Sequence, residues 1–167
     1  MTDLAPLLPR AEALIRRYAE NGLMIATAES CTGGLIAGLL TEVAGSSAVV
    51  DRGFVTYSNA AKADLLKVPE AMLYAHGAVS EPVARAMAEG AIIGSKADCA
   101  VAVTGIAGPG GGSSDKPVGL VHFAAMRRGH PPVHVERRFG PLTRAEIRAA
   151  TVAEALRLLE DLADLED

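Results

Sequence analysis

The chain has 167 residues, half of them hydrophobic, and 16 Lys and Arg against 20 Asp and Glu give a formal net charge of −4. That length predicts one domain over 1–167, and the composition excludes a disordered chain. The negative charge gives no general attraction to nucleic acid. Two cysteines, Cys31 and Cys99, are too few for a disulfide framework or a zinc site, and His76, His122, His130 and His134 lack ligand spacing, so neither a metal nor a cofactor is expected. No apolar run reaches the roughly 18 residues of a membrane span. An early Asp3 argues against a signal peptide, and a cytoplasmic location is the expectation.

In chain order, Leu4, Leu7, Leu8, Ala11, Leu14, Ile15 and Tyr18 form one helical stripe that Asn21-Gly22 ends. Leu23 to Ala28 reads as a buried strand, 29–34 as a turn, and Leu35 to Val43 as a helix. Ala48 to Thr56 is a second strand. Ser58 is placed to cap a helix holding Ala61, Leu65 and Leu66, and a short helix over Glu70 to Ala75 ends before Gly77. Ser80-Glu81-Pro82 opens a further helix to about Ser95. Cys99 to Val103 is a continuous apolar strand of the parallel kind. A glycine-rich loop follows, then strands over Val118 to Met126 and Val133 to Phe139. Thr143-Arg144-Ala145-Glu146 is a capping box that starts a last helix to about Leu165. The basic stretch from Arg127 to Arg138 reads as a solvated face. The alternation predicts an α/β fold: a three-layer α/β/α sandwich with a mixed, mostly parallel sheet. The Ala- and Leu-rich helices suit a homodimer.

Three segments carry candidate chemistry. Ser30 lies between a buried strand and a helix start, where unpaired N–H groups around Cys31, Thr32, Gly33 and Gly34 can stabilise an oxyanion. Ser30 or Thr32 as a plain helix cap, and Cys31 as a rival nucleophile, stay open. The second segment is Tyr57 with Lys62. If Ser58 caps its helix, these two are the residue before the cap and the fourth helical residue, positions that pack together, so the phenol is expected to touch the ammonium. A lysine serves as a base if its pKa falls toward neutrality; a surface lysine lying on the tyrosine ring is the alternative. The third segment is the loop Thr104 to Gly119. Its Gly105, Gly108, Gly110 and Gly111 allow N–H groups to converge on an anion, and Ser113 and Ser114 could add donors. It is neither a Walker loop nor a dinucleotide fingerprint.

Ala28-Glu29-Ser30-Cys31-Thr32-Gly33-Gly34, Gly53 to Asn59 with Lys62, His76 to Ser80, and Thr104 to Pro109 with Lys116 to Gly119 together resemble the CinA C-terminal domain family over roughly residues 7 to 160. The resemblance implies the three-layer fold and hydrolysis of the carboxamide of nicotinamide mononucleotide to nicotinate mononucleotide and ammonia. Ser30 then matches the nucleophile, Tyr57 and Lys62 its activating partners, and the glycine loop part of the substrate pocket. A non-catalytic nucleotide-binding module linked to competence or DNA damage is the other reading.

Overall fold

The computed structural model describes residues 1–166. Five strands, β1 (Ile25–Glu29), β2 (Val50–Val55), β3 (Cys99–Gly105), β4 (Leu120–Arg127) and β5 (Val133–Arg138), form a sheet in the order β2-β1-β3-β4-β5. The α-helices among the described residues are α1 (Leu8–Glu20), α2 (Leu35–Glu42), α3 (Asn59–Leu66), α4 (Glu70–His76), α5 (Glu81–Ile93) and α6 (Arg144–Ala163). β1 pairs in parallel with β2 and β3; β3–β4 and β4–β5 are antiparallel. Every strand except β4 therefore runs in one direction, the mixed, mostly parallel sheet expected from the order of elements.

Side chains alternate across a strand, and the two faces of this sheet use the alternation differently. One face presents Ile25, Cys99, Val101, Val103, Val121 and Phe123 to α1, α2 and α6. The other presents Ala26, Ala28, Ala100, Ala102 and Ala124 to the Val83, Ala84, Met87, Ala88 and Ala91 stripe of α5. A floor of methyl groups lets α5 lie close to the sheet. On α5, Gly90 meets the chain end of α3: a Cβ there would stand 2.0 Å from the Leu66 carbonyl oxygen.

Several boundaries differ from the sequence reading. Ala5–Leu7 is a 3-10 turn and α1 proper begins at Leu8, with Pro9 in its first turn. Ser46–Ala48 is likewise a 3-10 turn, so β2 starts at Val50. The last helix stops at Ala163, and Asp167 lies outside the described residues. Arg127 is not part of a solvated face. It is buried, and its guanidinium donates to the Leu162 and Leu165 carbonyls, where a cation neutralises the negative end of α6. No helix among the described residues is long and apolar enough to cross a membrane.

Candidate active site

The connection leaving β1 runs through α2 on one face of the sheet, and the connection entering β3 runs through α5 on the other. Chains that part in this way open a crevice beyond the carboxyl ends of the strands. Ser30 follows β1, Thr56 and Tyr57 follow β2, and Thr104-Gly105 closes β3. Main-chain bonds fix the three ends to one another: the Ser30 N–H donates to Val103 O at 3.1 Å and the Thr56 N–H to Glu29 O at 2.9 Å. A cavity of about 280 Å³ lies at this point.

Lys62 is brought in by α3. Ser58 caps that helix, its hydroxyl accepting the Ala61 N–H at 3.0 Å, which makes Lys62 the fourth helical residue. The side chain turns inward and is 1% exposed. Its Nζ donates to Ser30 Oγ and to the Thr56 carbonyl, each at 2.8 Å. Burial, with no carboxylate against the ammonium to offset it, pushes the amine down to about 8. A serine hydroxyl and an amine that is in part neutral near pH 7 are thus already in hydrogen-bond contact, an arrangement in which an amine can take a hydroxyl proton.

Among the described residues no hydrogen bond joins the Tyr57 phenol to the Lys62 amine. Both line the cavity, but both hydrogen bonds of the amine are taken by Ser30 and Thr56. The Tyr57 phenol is largely exposed at the end of the edge strand β2 and instead accepts from Arg144 Nη2 at 3.1 Å. Cys31 lines the cavity, but its thiol is buried and desolvation pushes it up to about 12, the wrong direction for a thiolate nucleophile.

Thr32, Gly33 and Gly34 do not line the cavity. The reason is Glu29, fully buried at the end of β1. Its carboxyl group accepts from Thr32 Oγ1 at 2.7 Å, Ile36 N at 2.8 Å and Ala37 N at 3.1 Å, so the positive end of α2 is taken up by the protein itself. The Gly33 N–H is spent on Ser30 O at 3.0 Å. Cys31 is different: among the described residues its N–H has no main-chain acceptor, and the residue lines the cavity next to Ser30. From α6, Arg148 donates to the Cys31 and Thr32 carbonyls and pins the turn from outside.

The glycine loop divides in two. Thr104, Gly105, Gly108, Gly110 and Gly111 line the cavity. At Gly108, φ is +75° and a Cβ would come within 2.5 Å of Val118, so only glycine fits. Ser113 and Ser114 lie outside the cavity, because 113–116 closes on itself: Ser113 N donates to Lys116 O, and Ser113 Oγ accepts from Lys116 N.

The sequence reading missed Arg144. Its guanidinium lines the cavity mouth and bridges Gly108 O, at 2.7 Å, to the Tyr57 hydroxyl. A cation in the first turn of a helix opposes the helix dipole, and that misfit was the available signal. Asn59 and the Ala78-Val79 wall were missed as well. Among the described residues no group of three or more His, Cys, Asp or Glu is arranged to hold a metal ion.

Known proteins share this architecture and are similar in sequence. The family model of the CinA C-terminal domain matches residues 8–163. A putative competence-damage inducible protein of Symbiobacterium thermophilum is 63% identical over 118 residues, 71% of this chain and 28% of its own length. The nicotinamide-nucleotide amidohydrolase PncC of Escherichia coli (strain K12) is 48% identical over 160 residues, 95% of each chain. The crystal structure of competence/damage inducible protein CihA from Agrobacterium tumefaciens superposes with a TM-score of 0.93 at 56% identity, covering 97% of this chain and 99% of that one. The chain spans 28%, 36% and 33% of three of the longer curated relatives it matches. A match over 8–163, on a fold shared with a solved relative along nearly its whole length, shows that this chain belongs to the CinA C-terminal domain family.

Proposed function

We propose that this chain is an amidohydrolase that converts nicotinamide mononucleotide to nicotinate mononucleotide and ammonia, with Ser30 as nucleophile and Lys62 as its base. The observation that carries the reading is the 2.8 Å contact between Ser30 Oγ and a buried Lys62 whose amine is held near 8. The printed activity of the E. coli relative supplies the substrate.

The amine that acts is the neutral form, about a tenth of the population at pH 7 for a group titrating near 8. It keeps one N–H on the Thr56 carbonyl and turns its lone pair to the Ser30 hydroxyl. Ser30 Oγ attacks the carboxamide carbon as its proton passes to Lys62. The Cys31 N–H stabilises the oxyanion, a donor of the kind that contributes about 3–4 kcal/mol. Lys62 returns the proton to the departing nitrogen, the C–N bond breaks, and ammonia leaves an ester on Ser30. Water, deprotonated by the same amine, hydrolyses the ester and restores the hydroxyl. Arg144 and the N–H groups of Gly110 and Gly111 take the nucleotide phosphate at the mouth, and Tyr57, released from Arg144, covers the pyridine ring.

The test is ammonia release from nicotinamide mononucleotide. The expected result is turnover by the native chain and a loss of at least about 10³-fold in Ser30→Ala. Binding of the mononucleotide without release above the Ser30→Ala control overturns the enzyme reading in favour of a binding module. Loss in Cys31→Ala with retention in Ser30→Ala moves the nucleophile to the thiol.

A further inference from the structure

Two histidines that the proposed reaction leaves unused lie on β4 and β5, the first paired across the sheet with a residue of the cavity lining. His122 on β4 is the cross-strand partner of Thr104, so the two side chains share a face of the sheet. Thr104 lines the cavity and its hydroxyl donates to Ala78 O at 2.9 Å. Glu81 opens α5 two residues beyond Val79, and the Ser80 hydroxyl just before it donates to Gly77 O. The segment 77–80, whose Ala78 and Val79 line the cavity, is therefore also the lead-in to α5.

Four side chains form a line across this region. Glu136 Oε1 stands 3.6 Å from His122 Nε2, His122 Nδ1 is 2.9 Å from His134 Nε2, and His134 Nδ1 is 3.1 Å from Glu81 Oε1. The other charges facing the pair are Arg85 of α5, which also donates to Pro132 O at the β4–β5 turn, and Lys116 of the glycine loop. The carboxylate of Glu81 requires a proton on His134 Nδ1. In the neutral ring Nε2 is then an acceptor, so His122 must carry its proton on Nδ1. His122 Nε2 is left with a lone pair toward Glu136. One added proton fits there without breaking any bond, and a second on His134 Nε2 would set two N–H groups against each other.

We propose that His134 is a positioning residue: with His122 it clamps the start of α5 to β4 and β5 and so sets the Ala78-Val79 wall against which substrate binds, while the neutral pair takes up at most one added proton. Burial keeps both imidazoles below their ordinary pKa, which agrees with this proton limit.

The wild-type chain is titrated by NMR of its imidazole nitrogens, and His134→Ala and His134→Gln are assayed kinetically. The expected spectrum shows both neutral rings protonated on Nδ1, and as pH falls one proton taken up at His122 while His134 stays neutral. Independent titration of both rings near 6.5, or a neutral His122 protonated on Nε2, overturns the clamp. In the assay, which rests on the proposed amidase reading, His134→Ala raises KM about tenfold with kcat within about twofold, the scale of one or two lost hydrogen bonds. Gln can accept from His122 and donate to Glu81, so His134→Gln restores KM. Unchanged KM in His134→Ala, or a His134→Gln variant as impaired as the Ala variant, overturns the positioning role. If the wild-type chain releases no ammonia, the amidase reading fails, and the NMR titration decides the clamp by itself.

Discussion

At the scale of single residues, the site is organised by one buried cation. Lys62 has Ser30 Oγ and a main-chain oxygen as partners and no carboxylate, so folding removes its charge from water without an opposite charge in return. The folded pKa, about 8, lies below the unfolded value near 10.4, so below pH 10 the unfolded chain binds this proton more tightly than the folded one. Stability from this group therefore rises with pH between about 8 and 10.4, and at neutral pH the ammonium is a net cost. Lys62→Met is expected to abolish turnover while raising stability at pH 7 by about 1–3 kcal/mol, a gain that fades above pH 10. Urea denaturation at pH 7 and pH 10 measures both. A destabilised Lys62→Met at pH 7 would mean that the amine is held by its hydrogen bonds more strongly than burial opposes it. Ser30 and Lys62 were legible in the sequence because each sits at a local punctuation mark, a strand-to-helix turn and the first turn of a capped helix. Glu29, Arg144 and the His122–His134 pair were not. Glu29 reads as part of a turn until its bonds to Ile36 and Ala37 are seen, and Arg144 meets Tyr57 across 87 residues of sequence. The error over Tyr57 has the same origin. The helical spacing places it near Lys62, but the amine bonds to the buried partners Ser30 and Thr56, and the phenol bonds to Arg144.

At the scale of elements, local signals set helix starts well and strand starts poorly. Ser58 and the Thr143–Glu146 capping box stand where their side-chain chemistry predicts, because a cap is a short-range hydrogen bond. The start of β2 was misplaced because Ser46–Ala48 closes a 3-10 turn, and an apolar run does not distinguish a turn from a strand. The close approach of α5 to the chain end of α3 was not legible either. It depends on Gly90, which in sequence looks like a weak point in a helix. The backbone of Leu66 cannot withdraw without moving α3, and α3 carries Lys62. Gly90→Ala, a change that normally favours a helix, is therefore expected to destabilise the chain by about 2–3 kcal/mol and to lower kcat as well. Equilibrium unfolding with parallel kinetics checks this. A Gly90→Ala variant of native or greater stability would show that α5 and α3 can separate freely.

At the scale of the whole molecule, the proposed reading draws catalysis and binding from two different sets of elements around one crevice. Ser30 and Lys62 come from the ends of β1 and from α3, whereas the glycine loop, Arg144 and the Ala78-Val79 wall come from β3, α6 and the lead-in to α5. The order of elements foretold the sheet and the face at which the crevice opens, since parallel strands separated by helices leave their carboxyl ends together. It did not foretell that the Glu29 carboxyl group would occupy the positive end of α2, which is why the proposed reading gives the phosphate to the loop and Arg144. The central claim, a serine activated by a buried amine, is tested most directly by the pH dependence of kcat/KM for ammonia release between pH 6.5 and 9.5, which reports the free enzyme's base. The account predicts a tenfold rise per pH unit below a midpoint near 8 and a plateau above it. A profile that is flat across that interval, or that falls as pH rises through 8, would contradict it.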